Sequence, residues 1–247
     1  MRLRGARPSP RHLLASAMPH RAVPQVLPPA FLMWGQLSTW GNVQTPTCPG
    51  YGDCVTAEEA AKLSLTSQVL ISDDEVIAWA RQHNVLNGAE LPQVMRMMER
   101  HGFVAGNCTY DDGAFFSVDW HDYNALCQAM YENQPNGNPV KIGIDASSLE
   151  QMIEAPDGSL SNGWVAYGYP LSTNYDHCTS LCGFGSASDL VAQFATRGIT
   201  VTLPSSMPVD TLCVGLFTWG TIGLVDMISL QNMCGEAWVR NPPVIVR

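Results

Sequence analysis

The chain has 247 residues, of which 46% are hydrophobic, and its 13 basic and 22 acidic side chains give a formal net charge of −9. That length and apolar content suffice for one large domain or two small lobes around a sizeable core. No apolar run approaches the roughly 20 residues that a membrane-spanning helix needs, and an acidic body argues against nucleic-acid binding. The composition therefore predicts a soluble, globular protein without a membrane span or a nucleic-acid partner.

The first 29 residues differ in composition from the rest of the chain. They are rich in Arg, Pro and Ala, have no periodic apolar pattern, and belong to a stretch, 1–52, that contains five arginines and no acidic residue. Such a segment predicts a leader that is flexible or bound to a protein partner, followed by one folded domain over 30–247. The apolar run at 13–15 is too short for a signal peptide, and Met18 is an alternative start. The compartment stays unknown at this point, and the lack of a convincing signal peptide favours an intracellular or assembly-associated protein.

Local patterns predict helices first and strands later in the chain. One helix follows Asp53, a second begins after Ser72, whose spacing to Glu75 forms a capping box, and two more cover about 91–100 and 122–132. From residue 140 onward the chain carries short β-prone runs bounded by Gly, Pro and Asn. These runs are VKIGID, WVAYGY, HCTSLCGFG, VGLFTW and AWVR.

The segment GYGDCVTAEEAAKLSL places Cys54 at the predicted start of the first of these helices. Asp53 can act as the N-cap, and the positive end of the helix dipole would then lower the thiol pKa and stabilise a thiolate. This is a typical position for a nucleophile, provided that the chain supplies a base. The alternative is that Cys54 is a small apolar core residue.

The cysteine spacings do not predict a metal site. The chain has eight cysteines, and no second Cys or His pair completes a four-ligand zinc pattern around Cys178 and Cys182. We therefore predict neither a metal nor another cofactor. A free Cys54 would leave seven cysteines, so a fully oxidised framework is disfavoured and buried thiols are expected.

The segment YDHCTSLCGFG supplies the candidate base, His177, at the start of a predicted strand. Strand alternation puts Thr179, Leu181 and Gly183 on the face of His177. The other five histidines lie in the leader, at helix ends or in a polar loop. A Cys54–His177 pair would be an ion pair with a lowered thiol pKa, whereas the alternative is a structural histidine.

Several motifs follow one another in an order that indicates a family. They are GNVQTPTCPGYGDCVTAEEA, ISDDEVIAWA, CTYDD, YNALCQAMYENQPNGNPVKIGIDA, YDHCTSLCGFG and FTWGTIG. In this order, over about 200 residues, the chain resembles the papain-like cysteine peptidases. The resemblance implies an α+β, two-lobe fold, with a helical lobe over about 53–135 and an antiparallel, barrel-like β lobe over about 140–240. The Cys54 helix would run between the lobes.

The resemblance also implies site residues. Cys54 would be the nucleophile, His177 the general base and then acid, and Gln44 the side-chain donor of the oxyanion hole. Gln44 lies ten residues before Cys54 where the family spacing is six, so Asn42 is its rival. A pocket for a substrate side chain would be lined from 87–91 and 164–169.

The largest departure from the family pattern concerns the residue that orients His177. Phe217 stands where the family has an asparagine, and its ring cannot accept a hydrogen bond from the imidazole. Thr218 is the first candidate to replace that amide, although strand alternation then requires a bulge or a shifted register. Asp226 and a backbone carbonyl are alternatives. Trp219 keeps the apolar shield of the family.

Two functions of different classes follow. The first is a thiol hydrolase that acts on a peptide or protein substrate through peptide, amide or related acyl bonds. The second is a catalytically idle papain-fold component of an assembly such as a virion. A Cys–His acyltransferase of the transglutaminase type shares the chemistry and is a further alternative.

Overall fold

A computed structural model describes residues 2–147, 149–153 and 163–246. Its helices are α1 (Arg11–Ala15), α2 (Cys54–Ser67), α3 (Asp73–Gln82), α4 (Leu91–Met98), α5 (Tyr123–Tyr131), α6 (Leu149–Met152), α7 (Ala187–Ala195) and α8 (Met227–Met233). Its strands are β1 (Ala6–Arg7), β2 (Phe31–Leu32), β3 (Ala89–Glu90), β4 (Phe103–Ala105), β5 (Cys108–Asp111), β6 (Phe115–Ser117), β7 (Val140–Ile144), β8 (Trp164–Ala166), β9 (His177–Ser186), β10 (Leu212–Thr218), β11 (Thr221–Asp226), β12 (Cys234–Arg240) and β13 (Val244–Val246). None of the helices described by the model is long and apolar enough to cross a membrane.

A large mixed sheet forms most of the second half of the molecule. Its strand order is β6-β12-β7-β9-β10-β11-β8, with β2 added to β9. All of these pairs are antiparallel except that of β8 with β11. The fold is α+β as predicted, and its sheet is antiparallel apart from one strand pair. The sheet does not close into a barrel, because its edge strands β6 and β8 do not pair with each other over the described residues. The predicted lobe boundary stays a prediction.

The predicted helix starts are confirmed where a side chain caps them. The Ser72 hydroxyl accepts a hydrogen bond from the Glu75 amide at the start of α3, and Asp122 accepts from two amides at the start of α5. These caps satisfy backbone N–H groups that the first helical turn leaves without partners. The glutamate of the expected capping box does not return the bond, because Glu75 Oε1 accepts from the Val104 amide instead.

Helix α2 lies in the interior and packs against β9, so even its charged residues are buried. Glu59 forms ion pairs with Lys141 and Arg240, and Asp112 forms ion pairs with Lys62 and Arg240. Burial opposes the ionisation of Glu59, but Arg240, Lys141 and Lys62 outweigh it and hold the pKa of that carboxyl below its usual range. The helix is therefore tied to the sheet by buried ion pairs as well as by apolar contacts.

The leader lies along the folded body. Its backbone is joined to the body by the Leu3 amide and the Asn42 carbonyl at 3.1 Å, and by the Ala6 amide and the Asp176 carbonyl at 3.2 Å. Farther along, the Gln25 amide donates to Gln128 Oε1 at 3.0 Å. The segment that was expected to be flexible or partner-bound is therefore placed against the chain's own domain.

Candidate active site

Cys54 is the first residue of α2 and is only 1% exposed. Asp53 occupies the N-cap position, but its side chain makes no capping hydrogen bond, so the predicted cap is wrong in that respect. Both Asp53 carboxylate oxygens are buried without a hydrogen-bond partner among the described residues. Burial, with a smaller contribution from Asp73, raises the pKa of this carboxyl to about 7, although backbone hydrogen bonding and Asn42 act in the opposite direction.

The surroundings of the thiol keep it protonated. Burial, with smaller contributions from the carboxyl groups of Asp53 and Glu58, raises the pKa of Cys54 to about 12. Backbone hydrogen bonds from Cys178 and Gly5 act in the opposite direction. The expected lowered thiol pKa is therefore wrong for this closed structure, because the desolvation of a thiolate outweighs the helix dipole.

His177 begins β9 directly before Cys178, whose backbone contacts the thiol. It is 1% exposed, and burial, with a contribution from Arg4, lowers the pKa of the imidazole to about 3. Its Nε2 lies 2.6 Å from Thr218 Oγ1, and its Nδ1 has no hydrogen-bond partner among the described residues. No hydrogen bond joins the imidazole to the Cys54 thiol. The raised thiol pKa and the lowered imidazole pKa keep both groups neutral at neutral pH.

A β-bulge brings Thr218 to the face of His177. In the pairing of β9 with β10, Gly215 lies opposite Gly183 but Leu216 lies opposite Leu181, so Cys182 is an extra residue in β9. Without this shift, alternation would turn the Thr218 side chain to the other face of the sheet. The structure thus contains the register shift that a Thr218–His177 contact requires. Asp226, the alternative acceptor, caps α8 instead.

Trp219 covers the imidazole. Their rings are stacked, with centroids 4.1 Å apart and planes 18° apart. Trp219 and Gly220 form the two-residue turn between β10 and β11, with φ values of 48° and 72°. A positive φ is unfavourable for a bulky residue, so the turn holds the indole at some conformational cost.

Two amides were candidates for the oxyanion hole, and the structure separates them. Gln44 is exposed, and its side chain makes no hydrogen bond to any described residue. Asn42 is 3% exposed, and its Oδ1 accepts from Trp219 Nε1 at 2.7 Å. Its Nδ2 is buried without a partner in the described part of the chain. Asn42 therefore places an N–H donor beside the Asp53 carboxyl, whose pKa it lowers, and beside the aromatic shield.

The leader fills the space over the two candidate residues. Arg4 forms ion pairs with Asp176 and Glu150, and Gly5 contacts the thiol of Cys54 through its backbone. The Arg2 guanidinium lies 5.4 Å from the centre of the Trp219 ring. This role of the leader was missed at the sequence level, where the only available signal was the contrast between its arginines and the acidic body.

The site offers thiol chemistry. No group of three or more His, Cys, Asp or Glu side chains that could hold a metal ion occurs in the described ranges. All eight cysteines are free thiols, and Cys54, Cys127, Cys178, Cys182, Cys213 and Cys234 are buried. A cysteine and a histidine at adjoining element ends, with an unpaired amide nearby, can perform acyl transfer once they are exposed to a substrate.

The sequence matches no protein-family model and no curated protein. The fold, however, matches solved cysteine proteases. Procathepsin L 3 from the larval midgut of Tenebrio molitor is 13% identical, with a TM-score of 0.55 over 91% of this chain and 73% of that chain. The proform of the ragweed pollen allergen Amb a 11 is 12% identical, with a TM-score of 0.59 over 93% and 72%.

A third solved structure, which this chain covers almost completely, gives the same result. The cysteine protease CMS1MS2 of Carica candamarcensis is 12% identical, with a TM-score of 0.56 over 87% of this chain and 99% of that chain. At these identities the likeness shows the fold alone. The chain therefore has a divergent papain-like fold.

Proposed function

We propose that this chain is a thiol hydrolase in which Cys54 attacks the carbonyl carbon of a peptide or related acyl bond. The observation that carries the proposal is the position of the thiol. It lies at the start of the central helix, against the backbone of the residue that follows His177, while Thr218 holds the far nitrogen of that imidazole. A papain-like fold with these residue types supports a cysteine nucleophile and a histidine base.

The leader keeps this site in a neutral, closed state. Burial is the largest cause of both pKa shifts, raising that of Cys54 and lowering that of His177, and Arg4 adds to the second. When the leader leaves, solvent reaches both groups and Arg4 moves away. The thiol pKa then falls and the imidazole pKa rises, which favours transfer of the proton from Sγ to Nδ1.

The reaction then needs only residues of this chain. The thiolate forms a bond to the carbonyl carbon, and the negative oxygen is stabilised by the Cys54 amide and Asn42 Nδ2. The carbon–nitrogen bond breaks as His177 gives its proton to the leaving amine. Water, deprotonated by His177, then releases the acyl group and restores the thiol. Transfer to an amine instead of water would make the same site an acyltransferase.

A second candidate is a papain-fold binding component. Phe217 at the usual asparagine position and the leader across the site favour it. In that case the Cys54 and His177 contacts would be structural, and opening the site would not produce a reactive thiol.

The test is the reactivity of Cys54 in the full chain. A Gly5→Ala substitution opens the site, because its Cβ would stand 1.5 Å from the Gly52 carbonyl oxygen. Labelling with iodoacetamide or E-64, the inhibitor carried by the Carica and Ananas comosus structures, is followed by tandem mass spectrometry at pH 6. We expect Cys54 to react faster than the half-buried Cys48 and Cys108, and His177→Ala to abolish the difference. Labelling of Cys54 no faster than these internal controls would favour the binding component.

A further inference from the structure

The leader occupies a groove as an extended peptide, bound through its backbone on both sides. On one side β1 pairs with β3, and the Ala89 amide donates to the Gly5 carbonyl at 2.8 Å. On the other side the Ala6 amide donates to the Asp176 carbonyl. Backbone bonds of this kind do not depend on the side chains of the bound segment, so the groove accepts extended peptides in general.

The positive charge of Arg4 is opposite to that of the two carboxylates, Asp176 and Glu150, on the groove wall. Arg4 Nη1 lies 2.5 Å from Asp176 Oδ2 and Arg4 Nη2 lies 2.8 Å from Glu150 Oε2. The three side chains are 25 to 30% exposed, so this acidic pair is open to solvent on one side and can exchange its partner. A planar guanidinium with several N–H donors suits two carboxylates better than a lysine ammonium does.

The next residue of the bound segment has no room for a side chain. A Cβ on Gly5 would stand 1.5 Å from the Gly52 carbonyl oxygen, which is backbone and cannot move aside. Gly52 lies two residues before Cys54. The groove therefore requires glycine at the position that passes closest to the nucleophile.

We infer that this groove selects peptide substrates in which arginine directly precedes glycine, with Asp176 and Glu150 binding the arginine. The inference rests on the proposed function and adds its substrate class. Charge supports it, because the leader brings arginines and no acidic residue to an acidic body. A second arginine, at the position of Arg2, gains a cation–π contact with Trp219.

The experiment uses the full chain with Gly5→Ala, so that its own leader cannot fill the groove. The probes are acetyl-Arg-Leu-Arg-Gly-Ala-amide, which copies residues 2–6, and two matched peptides. One carries norleucine in place of the second arginine, and the other carries alanine in place of glycine. The readout is the rate of Cys54 alkylation at increasing peptide concentration, which reports occupancy whether or not the peptide is cleaved.

We expect the Arg-Gly peptide to protect Cys54 at about 5- to 10-fold lower concentration than the norleucine peptide, the size expected for two partly exposed ion pairs. The alanine peptide should give no protection. Glu150→Gln should reduce the preference for arginine. Glu150→Arg should instead favour a peptide with glutamate at that position.

Equal protection by the arginine and norleucine peptides, or a preference that survives Glu150→Gln together with Asp176→Asn, would overturn the inference. So would a Gly5→Ala chain that folds normally by circular dichroism and in which the Arg-Gly peptide does not slow the alkylation of Cys54. Failure of the proposed function looks different. In that case the peptides would protect selectively, but no peptide would be hydrolysed.

Discussion

Thr218 Oγ1 lies 2.6 Å from His177 Nε2, on the side of the imidazole away from its unpaired nitrogen. A hydroxyl can accept a hydrogen bond from the Nε2–H group and so leave Nδ1 as the basic nitrogen. In the proposed mechanism, Thr218 therefore positions His177 in place of the missing asparagine.

Thr218→Val should lower the reactivity of Cys54 in the Gly5→Ala chain. The imidazole would lose its only hydrogen-bond partner among the described residues, and we expect alkylation at pH 6 to slow at least about 10-fold, since misorientation in a related triad costs far more. The matched control is Thr179→Val, whose hydroxyl donates to the Phe217 carbonyl and does not contact the imidazole. Thr218→Asn should restore reactivity. Equal slowing by both valine variants would show a structural effect only.

Asn42→Asp should remove an oxyanion donor and keep the acceptor for Trp219. We expect kcat for peptide hydrolysis by the opened chain to fall about 10²- to 10³-fold, as for loss of one donor elsewhere. Gln44→Ala should leave kcat unchanged, because that side chain is exposed and unpaired. If kcat fell with Gln44→Ala and not with Asn42→Asp, Gln44 would be the oxyanion donor.

Asp53→Asn should stabilise the protein above neutral pH. Burial raises the pKa of Asp53 from 3.8 to about 7, so between these values the folded state binds more protons than the unfolded state. The free energy of unfolding therefore falls as pH rises from about 4 to about 7, and the amide removes this loss. We expect a gain of about 2 to 4 kcal/mol at pH 8 and little change at pH 4 by urea unfolding. The control is the exposed Asp74→Asn, and an equal effect of both substitutions would contradict the assignment.

Two adjacent glutamates should lose different amounts of stability on the same substitution. Glu59→Gln leaves the buried Lys141 and Arg240 without a compensating charge and should cost about 3 to 5 kcal/mol. Burial raises the pKa of Glu58 to about 8, and its Oε2 accepts from the Ser180 hydroxyl. Glu58 is mostly protonated at pH 6, so Glu58→Gln should cost under about 1 kcal/mol there. Urea unfolding of both variants at pH 6 measures the difference, and similar costs would show that the ion pairs add no stability.

Local signals predicted the elements that carry the site. The cap at Ser72, the run VKIGID and the strand that begins at His177 depend on neighbouring residues, and the structure contains them. The charged residues of α2 indicated a solvent-exposed helix face, because residues such as Glu59 and Lys62 ordinarily face solvent. The structure buries them instead. Their partners Lys141, Asp112 and Arg240 are distant in sequence, so burial of this helix was not visible from its own pattern.

The geometry of the candidate site also depends on contacts between residues that are distant in sequence. The extra residue Cys182, which turns Thr218 towards His177, is a property of the pairing between two strands and has no signature in either one. The course of the leader depends on a match between its arginines and acids more than 140 residues away. Composition alone marked that segment as flexible.

The covalent attachment of the leader also determines how strongly any outside peptide must bind. A segment tethered to its own groove by the chain competes as if it were dissolved at about millimolar concentration, even though each of its ion pairs is weak. A peptide in trans must exceed that effective concentration, whereas a single cut between residues 9 and 30 would turn the leader into an ordinary ligand that dilutes away. Proteolysis in this stretch, where Val23 and Val26 are exposed, would therefore make occupancy of the groove depend on concentration without changing any contact in it.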